Sequence, residues 1–348
     1  APPAEPAPPA DAPAHAPAVT THRAASALHP HARESVPHRT DPPESIRVHR
    51  RAHDLDPECA KAWVGLAAVE VVADGWALND GIAHIDLALE PAERALELDP
   101  SLSLAHAVKA QYFNTRFAKV DAMRSFNTAL QKNPKNATAY LWKGILLMEA
   151  GYLDEAIDSL GKCVEIDPGY QNCFQFLAVA YLNAGNEARA IEIFEQTLEH
   201  NFHSMSASFV PYYTRNGNRA FALVLADVAF ERSSMPVVEW IRAIENPGAD
   251  HSAGLARLMQ WDRQTDSGIR LADSPMLLIA FGALEEFAAD PYDAQIPIWH
   301  PDATGFRRTP YFKKLLRDGG SLEYWEVHGY PPQCRPLGDD DFVCDDPY

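Results

Sequence analysis

NPKNATAYLWKGILLMEAGYLDEAIDSLGKCVEIDP, residues 133–168, is one complete copy of a unit that recurs along this 348-residue chain. Its bounding prolines, Pro134 and Pro168, are spaced as Pro100 and Pro134 are, at a period of about 34 residues. Each follows Asp99, Asn133 or Asp167, which closes a run of helical periodicity. Between the prolines the same residue sizes return in register: Ala110, Gly144 and Ala178; Phe113, Leu147 and Tyr181; Ala122, Ala156 and Ala190; Phe126, Leu160 and Phe194. A fixed period of this length predicts a solenoid, in which each unit buries its apolar face against its neighbours.

Each unit reads as a helical hairpin. Small residues let the two helices approach closely, and large ones such as Phe126, Tyr140, Leu160, Phe174 and Phe194 fill the gaps between units. Proline ends one unit because it cannot continue a helix, and it opens the next where its missing N–H would be unpaired anyway. Gly151 and Gly185 fall at the inner turns, where a left-handed backbone suits glycine. These residues resemble the tetratricopeptide repeat (TPR) family. The resemblance implies an all-α, right-handed TPR helical-hairpin solenoid, and with it a surface for binding and assembly rather than a catalytic cleft.

Working outward, Asp56-Pro57 precedes Pro100 by more than one period, so the first repeat carries nine extra residues, placed around residues 74–80. Ser45 to His53 reads as a lone second helix ahead of it. Beyond Asn201 the pattern decays: Gly217 and Ala222 suggest a shorter hairpin, and Pro236 to Ile244 and Gly254 to Trp261 read as irregular helices. The expected organisation is an extended arm over 1–43, a TPR solenoid over 44–201, degenerate helical repeats over 202–298 and an aromatic, cysteine-bearing capping tail over 299–348. In that tail Tyr311, Phe312, Leu315, Leu316, Tyr324 and Trp325 are suited to cover the apolar face of the last repeat. With 47% hydrophobic residues the chain can bury a long seam. No stretch approaches the roughly 20 apolar residues of a membrane span. Beginning at Ala1 rather than Met, the sequence reads as a processed product or a trimmed piece.

The arm over 1–43 holds eleven prolines, abundant alanine and almost no large apolar side chains. Alone it is an extended, polyproline-like solvated segment, because it has no core to bury. Residues 1–53 carry net charge +1; subtracting this from −18 for the whole chain leaves −19 on the rest. Seven of the fourteen histidines, at positions 15, 22, 29, 31, 38, 49 and 53, lie in the same stretch. Such an arm complements the acidic body of a neighbouring copy, more so in mild acid, although the imbalance can equally serve solubility. A body this acidic repels phosphate, which argues against nucleic acid as a partner. His29-Pro30-His31 could ligate a metal, but no cysteine or paired carboxylate completes a site, so none is assigned. Neither HExxH, a Gly-rich phosphate loop nor a Ser/His/Asp arrangement is present; no catalytic residue or cofactor site is assigned, and the chain reads as non-enzymatic.

Of the five cysteines, Cys163 ends a second helix and Cys173 opens the next first helix, while Cys334 and Cys344 bracket a loop in the tail. These are two candidate bridges, with reduced thiols as the alternative; bridges would place the protein in an oxidising, extracytoplasmic or extracellular compartment. Cys59 is left over and raises the question of an intermolecular bond. Thr20 and Thr21 are candidate O-glycosylation sites, and Asn136-Ala137-Thr138 matches the N-linked acceptor pattern. Asp339, Asp340, Asp341, Asp345 and Asp346 lack the Gly and Glu of a helix-loop-helix calcium site and read as a solvated acidic end.

The tail carries a second resemblance. Trp299-His300-Pro301, Phe306-Arg307-Arg308-Thr309-Pro310-Tyr311-Phe312, Tyr324-Trp325, Gly329-Tyr330-Pro331-Pro332, Cys334-Arg335-Pro336 and Asp341-Phe342-Val343-Cys344 resemble the ending of a bacterial group of signalling proteins. In that group TPR repeats follow a winged-helix or adenylate-cyclase-type module. The resemblance covers roughly residues 44–348 and implies a repeat region outside the cytoplasm that meets a protein or ligand. Neither module is present here, so DNA binding and nucleotide cyclisation are not implied.

Helix geometry turns Gln111, Asn114, Leu141, Ile145, Met148, Asn172, Gln175 and Val179 toward a concave groove. This apolar, amide-rich lining suits an extended neutral chain, amides bonding its backbone and apolar residues taking its small side chains. The Ala/Pro arm is such a chain. Two readings therefore compete: a self-assembling fibre-type subunit whose arm packs on the next solenoid, and a sensory or scaffold domain whose groove binds a separate protein or peptide.

Overall fold

The computed structural model describes residues 42–73, 83–199, 206–229, 235–264, 275–287, 297–338 and 341–345. The arm up to residue 41, the insertion around residues 74–80, Thr20 and Thr21 lie outside the described residues.

The repeat junctions are built alike. Asp99, Asn133 and Asp167 take extended backbones, with φ of −145°, −142° and −136°, as a following proline demands. Each folds its side chain onto the second residue downstream. Asp99 Oδ1 accepts from the Ser101 N–H at 2.9 Å, Asn133 Oδ1 from Lys135 at 3.0 Å and Asp167 Oδ1 from Gly169 at 3.1 Å. Asp56 does the same with Glu58 at 3.2 Å. The acid or amide before each proline thus satisfies a donor that the chain reversal would leave unpaired.

Between the junctions run the hairpins. Helix α1 (Pro42–Leu55) stands alone; α2 (Ala60–Ala73) pairs with α3 (His84–Leu98), α4 (Ser103–Thr115) with α5 (Lys119–Lys132), α6 (Ala137–Glu149) with α7 (Leu153–Ile166), and α8 (Gln171–Asn183) with α9 (Glu187–Glu199). The small positions Ala110, Ala178, Ala122, Ala156 and Ala190 and the large positions Phe126, Leu160 and Phe194 are all completely buried. The architecture is the expected all-α helical-hairpin solenoid. Helix α1 buries Ile46, His49 and Ala52 and leaves Arg47, Arg51 and Asp54 in solvent, a polar end for the stack. The inner turns at Gly151 and Gly185 have φ of +86° and +75°.

Downstream, α10 (Val210–Arg215) and α11 (Arg219–Ala229) form the short hairpin. The stretches expected to be irregular are instead regular helices, α12 (Val237–Glu245) and α13 (Ser252–Gln264), because Trp240 and Leu258 anchor each in the core. They are followed by α14 (Pro275–Phe281) and α15 (Leu284–Phe287). The C-terminal unit holds short 3-10 turns at Pro297–Trp299 and Pro301–Ala303, then α16 (Thr304–Arg307), α17 (Pro310–Asp318) and α18 (Ser321–His328). Strands β1 (Cys334–Leu337) and β2 (Asp341–Cys344) close it as an antiparallel pair with Cys334 opposite Cys344.

Both candidate bridges are formed: Cys163–Cys173 ties the end of α7 to the start of α8, and Cys334–Cys344 staples the strands. Cys59 is unpaired but buried against Ala52 and Ala62, so it does not present a thiol to another chain. Among the described residues no helix is long and apolar enough to cross a membrane.

Two glycines separate packing from backbone effects. A Cβ on Gly144 would lie 2.6 Å from Leu160 Cγ, whereas one on Gly161 in α7 meets nothing within 4 Å. Gly144→Ala is expected to cost about 1–3 kcal/mol by overpacking, and Gly161→Ala to stabilise by about 0.5–1 kcal/mol through lost chain entropy. Thermal midpoints of the two variants should therefore move in opposite directions.

Candidate binding surface

The eight residues expected to line an open groove sit on α4, α6 and α8, but the groove is not open at them. Met148 and Gln175 are completely buried, Val179 and Leu141 nearly so, and Asn114, Ile145 and Asn172 are buried as well. Gln111 is half-buried, and its Oε1 is enclosed without a hydrogen-bond partner, as is Asn172 Oδ1. The physical reason is tertiary. Leu141, Ile145, Met148 and Val179 belong to one continuous core that runs on to Phe209, Trp240, Leu277 and Trp299, so they are taken up by the protein's own packing.

The tail is the second departure. Phe312, Leu315, Leu316, Tyr324 and Trp325 are buried as expected, and Tyr311 is half-buried, but the unit that carries them meets earlier hairpins as well as α10. The C-terminal unit runs along the inner turns of the α4/α5 and α6/α7 hairpins. Trp325 Nε1 donates to the Ala150 carbonyl at 2.8 Å, Gln333 Nε2 to the Gly151 carbonyl at 2.7 Å and Trp299 Nε1 to the Glu149 carbonyl at 3.4 Å. These carbonyls lie at the C-terminal end of α6, where helix geometry leaves acceptors unpaired. Tyr152 donates to the Gly329 carbonyl and packs edge-on against Tyr324; burial pushes its hydroxyl up to about 12, keeping the donor proton in place.

Phe117 occupies the register position of Gly151 and Gly185 and shares their left-handed backbone, at φ +62°. Gly320 lies directly on it: a Cβ there would stand 1.9 Å from the Phe117 carbonyl oxygen. The irregularity at residue 117 was visible in the sequence, since a phenylalanine stands where the other repeats have glycine; its docking partner was not.

Beneath the tail lies a charged pair that periodicity did not reveal. Lys119, the first residue of α5, is completely buried, and its Nζ donates to Glu149 Oε2 at 2.6 Å. Asn114 Nδ2 donates to the same oxygen at 3.2 Å, and its Oδ1 accepts from Lys119 at 3.4 Å. A second set joins the first repeat, where the buried Glu70 on α2 accepts from the exposed Arg50 on α1 at 3.0 Å and contacts the buried His84 Nδ1 on α3 at 2.5 Å. Among the described residues no group of three or more His, Cys, Asp or Glu is arranged to hold a metal.

Asn136 accepts from the Ala139 N–H at 3.0 Å and donates to Ser103 Oγ at 2.8 Å, so its amide is engaged as the cap of α6 rather than offered to a glycosyltransferase. Asp341 is not simply solvated: Lys313 and Arg317 reach it, and the Lys313 hydrogen bond holds its carboxyl below the ordinary range. Asp345 pairs with Arg335.

With this geometry in hand, comparison with known proteins gives first the class. Tetratricopeptide repeat family models match residues 121–170 and 147–207, so the hairpins α6/α7 and α8/α9, with most of α5, are TPR repeats. Among particular proteins, the chain is similar to the mitochondrial import receptor subunit TOM70 of Homo sapiens, 25% identical over 119 residues covering 33% of this chain and 19% of that one. It is also similar to the type IV pilus assembly protein PilF of Pseudomonas aeruginosa, 27% identical over 168 residues covering 47% of this chain and 61% of that one. The match thus spans less than two thirds of either relative. A thermophilic TPR protein of Thermus thermophilus aligns with 52% of this chain and 90% of its own, at 18% identity and a TM-score of 0.40.

The buried pair is open to a direct test. Lys119→Met strands Glu149 in the interior and is expected to cost about 3–5 kcal/mol, whereas Lys119→Met with Glu149→Leu should recover most of that loss. Urea unfolding of the single and double variants reads the difference.

Proposed function

We propose that the protein is a non-enzymatic interaction and assembly module, a self-assembling extracytoplasmic subunit of the fibre type in which the arm of one copy packs on the solenoid of the next. The observation that carries this reading is the segregation of composition: eleven prolines within residues 1–43, and a net charge of +1 over residues 1–53 against −19 over residues 54–348. An arm of that composition has nothing of its own to bury and gains order only against another surface. A contact between one copy's arm and the next copy's body is heterologous, so it propagates instead of closing.

Two further features support it. The disulfides Cys163–Cys173 and Cys334–Cys344 fit an oxidising compartment. TPR repeats serve protein association as a class, and one relative is itself named as a pilus assembly protein. The competing reading, an extracytoplasmic sensory or scaffold domain that takes a separate peptide in its groove, is disfavoured by the burial of Leu141, Met148, Gln175 and Val179. In the assembly reading the arm docks on the outside of the neighbouring solenoid, where no core must first be opened.

Electron microscopy tests the proposal. The full chain is expected to form filaments, and a chain lacking residues 1–41 is expected to remain a helical monomer by circular dichroism and light scattering. Filaments that persist after the deletion, or a full chain that stays monomeric at high concentration while capturing a separate peptide, would sink it.

A further inference from the structure

The C-terminal unit has a small core of its own. The Phe312 ring meets Trp299, Phe306 and Phe342 edge-on at 5.7, 6.0 and 6.4 Å, Trp325 meets Phe342 at 5.2 Å, and the Cys334–Cys344 bridge closes the strands. Its hold on the repeats is mixed. Trp299, Phe312 and Trp325 join the continuous core that contains Leu141 and Met148, and Tyr324 packs on Tyr152; to these are added side-chain donors placed on the carbonyls of Glu149, Ala150 and Gly151, the Gly320 contact on Phe117, and a polar latch at one end. In that latch His300 bonds the Ser208 carbonyl at 3.2 Å and Asp302 pairs with Arg215 on α10. Groups that water solvates well, namely Lys119, Glu149, His300 and Arg307, are held out of water around this contact. Their desolvation offsets part of the docking energy and makes it weaker than an apolar contact of the same size.

We infer that residues 297–338, with the strand 341–344, form a releasable strap, latched by His300, which mild acid lifts from the inner turns and from the α10/α11 hairpin while the repeats stay folded.

The sign follows from the bonding. His300 Nδ1 accepts from the Asp302 N–H at 3.0 Å, so the neutral ring carries its proton on Nε2 and donates to Ser208. A second proton would sit on Nδ1, facing a donor, and would bury a charge. Asp302 favours that proton, while Arg215 and Arg307 oppose it; Glu187 acts only through its pair with Arg215. Helix α14, packed on the 301–303 turn, carries no titratable residue. Burial, aided by the two arginines, pushes the His300 imidazole down from 6.5 to about 4. A histidine freed into water returns to about 6.5. The undocked strap therefore binds the extra proton, and docking is at full strength above pH 6.5 and is lost as pH falls toward 4. Across that window the docking constant falls by up to about tenfold per pH unit.

Hydrogen exchange of the full chain at pH 7.5 and 4.5, corrected for intrinsic rates, reads this directly. Amides of residues 144–152 and 297–328 are expected to lose protection at the lower pH while residues 153–183 keep theirs, and His300→Gln, which retains a donor for Ser208 but cannot be protonated, should abolish the change. Simultaneous loss of protection in strap and repeats, or an unaltered pH profile in His300→Gln, would overturn the inference. Should that variant fold poorly, the imidazole resonances of the unaltered protein decide: titration of His300 at the ordinary histidine value with the strap still protected is equally fatal.

Discussion

Two helix backbones can approach closely only where a side chain is missing, and this constraint organises the molecule. Ala122, Ala156 and Ala190 recur once per period because each second helix must come near its partner there, and Phe126, Leu160 and Phe194 follow because the space beside a close approach must be filled. The junctions serve the same end. An extended Asp or Asn, locked by its own side chain to the second residue beyond, closes each junction in the same way.

A stack built this way has a concave side, and here the chain covers its own. Degenerate helices and a C-terminal unit return to the hairpins, so that Met148 and Val179 are core residues and not contact residues. The return is achieved without a matching repeat. It uses the unpaired carbonyls at the end of α6, which any well-placed N–H donor can satisfy; two tryptophans and a glutamine provide them.

The buried charges belong to the same geometry. Lys119 and Glu149 lie at the inner turns, where second helices begin and first helices end, and the tail removes both from water. A charge pair in that position fixes how the tail sits better than it strengthens the contact, because each partner must face the other or lose far more than the pair supplies. His300 plays a similar part further along, with two directional bonds that only one tautomer makes.

The repeat boundaries, the hairpins, the left-handed turns at Gly151 and Gly185, and the pairing of Cys163 with Cys173 were legible in the amino-acid sequence, since each depends on residues within one period or at a junction. The regularity of helices α12 and α13 does not show in their own periodicity, because it comes from Trp240 and Leu258 finding a core built elsewhere. Helical phase says which way a groove-side residue points but not what lies opposite. The closed inner face, the tail on Phe117 and Gly151, and the buried Lys119–Glu149 pair join positions separated by most of a repeat or by several repeats. Local periodicity carries no record of such pairings; only the folded chain, choosing which apolar surface meets which, decided them.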